Sequence, residues 1–307
     1  MVKISVPGSL LLVGEYGVTL PGGEGIAVAV DVHVRLEAQP ASRWRVISHF
    51  EGGEYVWNEG ERFPQELKLI ELLLREIPCE RAWSVVIDGR AFCDAEGRKR
   101  GFSSSAATAL AMAALLLIDD HGRAPQGQKL IDRALWCHRK FQGERGSGYD
   151  LYASYYGGAG VFTGGSAPDW RAVRPFWLNA LRLVRGERIC RTSESLKRFE
   201  VLVEAGEIDK VVLLEKQRLL CQQLVEAMSE AEVKRVYCEA AQLNRWLLAL
   251  LGEEVEQEAE AGCFKWLGAG CELGAMLVFG ADGDEGTFGK DGSERLVVAE
   301  RGIQWEW

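Results

Sequence analysis

Apolar positions in the first third of the chain fall into short runs that glycine and proline cut apart. Residues 2–6 read as a short strand stopped by Pro7-Gly8, residues 10–13 resume it, and Gly14-Glu15-Tyr16 breaks it again. Pro21-Gly22-Gly23 marks a turn. Residues 26–36 and 44–50 predict two strands, residues 65–75 a helix, and residues 83–87 another strand. From Ser105 to Ile118 the pattern changes: Ala, Leu and Met occupy nearly every position, which predicts a helix buried all round. A second helix is expected over 129–141. It gives way to the run Gln142-Gly143-Glu144-Arg145-Gly146-Ser147-Gly148-Tyr149-Asp150, and Gly157-Gly158 forms a further turn.

Small residues and prolines cluster over 164–175, where a boundary is expected between an N-terminal domain, 1–170, and a C-terminal one, 171–307. The second half opens with a strand at 181–185, followed by helical patterns over 194–204, 211–227 and 231–251. Residues 262–266 lead into Leu267-Gly268-Ala269-Gly270-Cys271-Glu272-Leu273-Gly274, with strands expected at 275–279 and 295–299. Strands mixed with helices in both halves indicate an α+β protein. The charged run 253–260 reads as a solvated face or turn.

Composition narrows the function. The chain has 307 residues, 47% of them hydrophobic, and a net charge of -9, which argues against a general nucleic-acid binder. A small anionic substrate remains compatible, because a few local cations can make a positive site in an acidic protein. Ten tryptophans are not interleaved with basic residues, so they form no base-stacking signature. Eight cysteines form no CxxC pair and only four histidines are present, giving little support for structural zinc. Scattered cysteines suit buried thiols in a reduced compartment. The start MVKISVPG lacks the shape of a signal peptide, and the most apolar stretch is too short to span a membrane. A cytoplasmic protein, with no membrane partner, is the expectation.

The most informative local signal is Lys99-Arg100-Gly101-Phe102-Ser103-Ser104-Ser105-Ala106-Ala107, placed directly before the buried helix. A helix N-terminus carries unpaired N–H groups and the positive end of the helix dipole, so it suits phosphate. The plain alternative is a serine N-cap on a core helix, with two solvated cations ahead of it. His138 reads as a packed or partly exposed helix residue rather than a metal ligand. Lys3 reads as solvated, and Lys265 as either surface or within reach of phosphate.

Three segments in order resemble the GHMP kinase superfamily. They are Pro7-Gly8-Ser9 with Gly14-Glu15-Tyr16, then Gly101 to Ala107, then Gly268 to Gly274. The 142–150 segment, with Ala153 and Gly157-Gly158 beyond it and Lys99-Arg100-Gly101 as lead-in, is most similar to the phosphomevalonate kinases within it. The resemblance implies a two-lobed fold, with an N-terminal lobe of ribosomal protein S5 domain 2-like topology and a ferredoxin-like C-terminal lobe. It implies ATP and Mg2+, a small anionic acceptor, and a monomer or homodimer. The implied activity is ATP-dependent phosphorylation of 5-phosphomevalonate. Mevalonate kinase, a sugar or sugar-phosphate kinase, a related decarboxylase and a silent ligand-binding homologue are the alternatives.

By position in these motifs, Lys99, Gly101, Phe102, Ser103, Ser104, Ser105 and Ala106 would hold the nucleotide. Ser105 would be the magnesium ligand and Asp150 the catalytic carboxylate. Glu15, Tyr16, Arg145, Ser147, Arg191, Gly268 and Gly270 would line or bind the acceptor, Glu15 and Tyr16 more as structural lining than as chemical groups. Four departures stand out. Ser9 replaces a lysine or arginine, and Ser103 replaces the loop's second glycine. The third motif is thin in glycine. Residues 136–139 carry no carboxylate where mevalonate kinases have a magnesium-binding glutamate. The cations available to compensate for Ser9 are Lys99, Arg100, Arg145 and Lys265, with Lys3 as an outsider.

Overall fold

The structure, a computed structural model, describes residues 1–50, 53–119, 123, 125, 127–186, 192–253, 264–268, 273–279 and 293–306. In chain order the elements are β1 (Val2–Val13), β2 (Glu24–Pro40), β3 (Arg45–Phe50), β4 (Gly53–Asn58), α1 (Lys68–Glu76), β5 (Trp83–Asp88) and α2 (Ser104–Leu116). Next come α3 (Gln128–Phe141), α4 (Tyr149–Tyr156), β6 (Ala159–Thr163), β7 (Asp169–Val173), β8 (Leu181–Arg185), α5 (Thr192–Glu204), α6 (Lys210–Glu226) and α7 (Glu230–Leu250). The chain ends with β9 (Phe264–Trp266), β10 (Leu273–Leu277), β11 (Glu294–Arg295) and β12 (Gln304–Glu306). The α+β reading holds. The described helices carry no stretch long and apolar enough to cross a membrane.

The residues cluster into two compact units, neither continuous in sequence. One comprises 1–10, 29–158 and 298–307; the other comprises 11–28 and 159–297.

In the first unit the strands follow the order β12-β1-β2-β5-β3-β4. The β12–β1, β2–β5 and β3–β4 pairs are antiparallel, and β3 and β5 run parallel. Helices α1, α3 and α4 pack around α2. As the pattern predicted, α2 is buried on all sides from Ala106 to Leu116, apart from Thr108. A helix without a polar face is stable only when enclosed in this way, and each fully buried leucine contributes about 1.5–3 kcal/mol.

One sequence expectation fails here for a local reason. Pro7-Gly8 does not end the first strand, because β1 runs through it to Val13. The Ser9 N–H turns to the carbonyl of Phe102 at 3.1 Å instead of joining a strand ladder. A Cβ added at Gly8 would sit 2.6 Å from that same carbonyl. Glycine at position 8 is therefore what lets the 99–103 loop lie against β1.

In the second unit, β6 pairs with residues 24–28 of β2 and with β7. A separate antiparallel sheet has the order β11-β8-β10-β9. Helix α7 packs on α6 and on β9, and its first turn is closed by a capping box of Ser229 and Glu232. Asp209 caps α6 through the N–H groups of Val211 and Val212. Two buried polar groups find long-range partners: Trp177 Nε1 donates to the Leu224 carbonyl at 2.8 Å, and the Tyr237 hydroxyl to that of Ala275 at 3.2 Å. Burial and the nearby Glu15 carboxylate push the Tyr237 hydroxyl far above its ordinary value of 10.0. The expected buried thiols are seen at Cys137 and Cys221; Cys79 and Cys93 are free but only part-buried, and Cys238 on α7 departs from the expectation because it is disulfide-bonded. Which cysteines meet depends on the fold, and spacing alone did not reveal it.

Candidate active site

In the first unit, loop 99–103 is held from two sides. Ser9 N–H reaches the Phe102 carbonyl on one side, and Arg100 N–H reaches the Phe92 carbonyl at 2.9 Å on the other. Phe102 is buried, with the Arg100 guanidinium 4.7 Å from its ring centre. Exposed Lys99 lies 6.0 Å from the ring centre of Phe50.

Gly101 has φ +79°, and Ser103 stands in the left-handed region at φ 57°, ψ 44°. The loop therefore keeps a backbone that favours glycine although serine occupies the position. The Ser103 carbonyl accepts from Ala106 and Ala107 N–H at 3.1 and 3.3 Å. The intrahelical ladder of α2 thus begins at Ala106, and the N–H groups of Ser104 and Ser105 precede it, at the helix end that attracts anions.

The N-cap Ser103 makes no side-chain cap bond, and the Ser105 Oγ lies 3.0 Å from Nε2 of His138 on α3. His138 is 1% exposed, and its Nδ1 lies 3.9 Å from Oδ2 of Asp150. Burial lowers the affinity of this imidazole for a second proton, and the Asp150 carboxylate opposes that effect. Asp150 sits in the first turn of α4 behind Gly148, whose φ of +94° starts the helix. Its Oδ1 accepts from the Leu151 N–H at 2.9 Å. Ser105 and Asp150, named independently from the sequence, thus meet at opposite nitrogens of one ring that sequence reasoning left out.

The 142–149 segment is held by a cation that the sequence reading also missed. Arg139 donates from Nε to the Gly146 carbonyl at 2.8 Å and from Nη2 to the Ser147 carbonyl at 2.9 Å. Burial lowers its pKa, with Tyr152, Asp150 and Glu144 pulling the other way; the guanidinium stays charged. Ser147 is buried, and Arg145 donates from Nη1 to the Gly143 carbonyl at 3.3 Å.

In the second unit, Glu15 and Tyr16 are both core residues. The Tyr16 ring lies 5.2 Å from that of Phe199, and its φ is 64°. Glu15 forms an ion pair with Lys265 on β9. Lys265 is 1% exposed, which corrects the surface alternative for it. Burial raises the Glu15 carboxyl and lowers the Lys265 ammonium, and each group's charge opposes the other's shift. The Glu15 carbonyl also accepts from Gln217 Nε2 at 2.9 Å. Gly268, at φ +70°, belongs to this unit, whereas Arg191 and Gly270 lie outside the described residues. Of the other cations weighed against Ser9, Lys3 pairs with Glu37 at 3.5 Å. Ser9 itself is fully buried.

The Ser105 hydroxyl and the Asp150 carboxylate are the oxygen donors gathered around His138. Among the described residues no group of three or more His, Cys, Asp and Glu side chains forms a metal cage. A hard cation that keeps several waters and takes one or two protein oxygens beside phosphates fits this donor set.

Residues 67–158 match the family model of the GHMP kinases N terminal domain, and the chain has the GHMP kinase fold over its whole length. The matched stretch contains loop 99–103, His138 and Asp150. The Lin0012 protein from Listeria innocua is similar with a TM-score of 0.80 at 18% identity, covering 99% of each chain. Streptococcus pneumoniae phosphomevalonate kinase, in complex with phosphomevalonate and AMPPNP, has a TM-score of 0.72 at 18% identity over 92% of this chain and 93% of that one. Lactococcus lactis galactokinase, complexed with galactose, gives 0.63 at 14% identity over 99% and 95%. No curated protein matches at the level of sequence.

Proposed function

We propose that this chain is an ATP-dependent small-molecule kinase whose acceptor is 5-phosphomevalonate, with 5-diphosphomevalonate and ADP as products. The observation that carries this reading is the 142–150 segment, in which Arg145 and Ser147 lie on a turn pinned by Arg139 and Asp150 opens α4 across His138 from Ser105. The similar structure that holds phosphomevalonate and AMPPNP supports both the nucleotide and the acceptor class.

In this reading the backbone of 101–105 cradles the nucleotide phosphates at the start of α2. Lys99 and Arg100 supply positive charge ahead of it. Mg2+, when bound, neutralises phosphate charge, with the Ser105 hydroxyl as its protein ligand. Arg145 engages the acceptor's phosphate, for which a guanidinium fork is suited. An acceptor oxygen forms a bond to the terminal phosphorus as the bond from that phosphorus to the bridging oxygen breaks, and ADP leaves. Asp150 orients the attacking group and takes its proton where it carries one. Arg139 steadies the floor on which Asp150 and Ser147 sit. Glu15, paired with Lys265, holds structure rather than substrate.

The test is a coupled ADP-release assay against mevalonate, 5-phosphomevalonate, 5-diphosphomevalonate and a set of sugars. The expected result is turnover that saturates with 5-phosphomevalonate and is far weaker with the others. ADP release without acceptor preference would refute the acceptor. No turnover with any compound would leave a ligand-binding protein in place of a kinase.

A further inference from the structure

We propose that His138 is a positioning residue for the phosphoryl-transfer site. Its Nε2 accepts the Ser105 hydroxyl proton while its own proton sits on Nδ1, facing Asp150. The metal side of this inference rests on the kinase reading above; the ring's tautomer rests on geometry alone.

A serine hydroxyl has one proton and two acceptor lone pairs. At 3.0 Å from His138 Nε2, the Ser105 hydroxyl and the ring share one hydrogen bond, and its direction has consequences. If Nε2 carried the proton, it would occupy a serine lone pair, and the hydroxyl proton would turn outward toward whatever cation accompanies the phosphates. If Nε2 is the acceptor, that proton is withdrawn into the protein and the oxygen's lone pairs face out. The first arrangement leaves one serine lone pair for a cation, whereas the second leaves both and turns the proton away from it, which makes Ser105 the better metal ligand.

The surroundings select it. The Asp150 carboxylate lies 3.9 Å from Nδ1, too far for a hydrogen bond but close enough for its charge to favour a proton on that nitrogen. The ring is 1% exposed, so solvent does not compete for either nitrogen. His138 belongs to α3, Ser105 to α2 and Asp150 to α4, so one imidazole, hydrogen-bonded to the hydroxyl and facing the carboxylate, lies where three helices meet. This is the role that outer ligands serve at metal sites, where a fixed tautomer orients the group that touches the ion.

Two measurements test it on the full chain. In the unliganded protein, nitrogen-15 NMR of the imidazoles should show His138 as the Nδ1–H tautomer at neutral pH, with the signal assigned by its loss in His138→Gln. An Nε2–H tautomer or a doubly protonated ring would overturn the proposal.

The second measurement is AMPPNP binding with and without Mg2+. In His138→Leu the affinity gained from Mg2+ should shrink by about tenfold or more, with metal-free affinity held within about twofold. His138→Gln, whose amide oxygen can accept in place of Nε2, should recover most of the gain. An undiminished gain in His138→Leu would overturn the positioning role. So would equal losses with and without metal in both variants, which would mean packing alone. If His138→Leu does not fold, the tautomer and the His138→Gln result decide. A parent chain that binds no nucleotide would remove the kinase reading and the metal role with it, while the tautomer would still be decided by NMR.

Discussion

Ser103 shows how one residue can depart from a pattern while its backbone keeps it. Its φ of 57° is a conformation that costs an L-residue about 1–2 kcal/mol and costs glycine almost nothing. Ser103→Gly relieves that strain but adds freedom to the unfolded chain. The net expectation is a gain of up to about 1 kcal/mol in urea unfolding, and a clear loss would mean that the serine side chain contributes more than its backbone costs. Asp150, proposed as the catalytic carboxylate from its glycine-serine turn, carries the sharpest functional prediction. Asp150→Asn should lower turnover by roughly 10²-fold or more with nucleotide saturation little changed, and steady-state kinetics with either substrate varied would check it. The contacts of His138 and Lys265 were not legible in the sequence, because folding brings their partners near: Ser105 lies 33 positions from His138, and Glu15 lies 250 from Lys265.

At the scale of elements, the periodic segments were readable and the exceptions have local causes. The expected helices at 129–141, 211–227 and 231–251 match α3, α6 and α7 to within a residue or so, because apolar spacing marks all three and side-chain caps also close the starts of α6 and α7. Helix α4 escaped notice because it has only 8 residues, rich in tyrosine, and a helix so short forms only where packing favours it. It packs on α2, and Gly148 supplies the positive φ at its start. The strand expected at 295–299 shrinks to Glu294–Arg295, with a single bridge from Val298 to Val30. The loop between α3 and α4 carries a prediction of its own. Arg139 fixes its backbone at residues 146 and 147, so the Arg145 side chain can be removed without dismantling the loop. Arg145→Ala should therefore raise KM for 5-phosphomevalonate while KM for ATP stays nearly constant. An equal effect with an acceptor that carries no phosphate would assign Arg145 to folding or to the nucleotide.

For the molecule as a whole, sequence pattern and structure divide the chain differently. Turn residues over 164–175 suggested a cut between two consecutive domains, but one compact unit takes residues 11–28 from near the start and the other takes 298–307 from the end. Composition shifts mark where a chain turns, and they carry no information about which distant strand completes a sheet. The Glu15–Lys265 pair gives this arrangement an energetic consequence. Lys265→Met leaves a carboxylate buried without its counter-charge and should cost about 3–5 kcal/mol in urea unfolding, much of it recovered by adding Glu15→Gln.

The same pair predicts the behaviour of fragments. A piece spanning 171–307 would lack β6, the first two residues of β7 and the stretch 11–28, so the rest of β7 would have no β6 to pair with. Lys265 would face burial without Glu15, and Gln217 would lose the Glu15 carbonyl. Neither loss is offset within the fragment, so the native packing around β9 has no stable form there. The expected outcome is a fragment with poorly dispersed amide resonances and no cooperative urea transition, while the full chain shows both. A sharp transition and a dispersed spectrum from 171–307 alone would show instead that this stretch carries a self-sufficient core, and that residues 11–28 only decorate it.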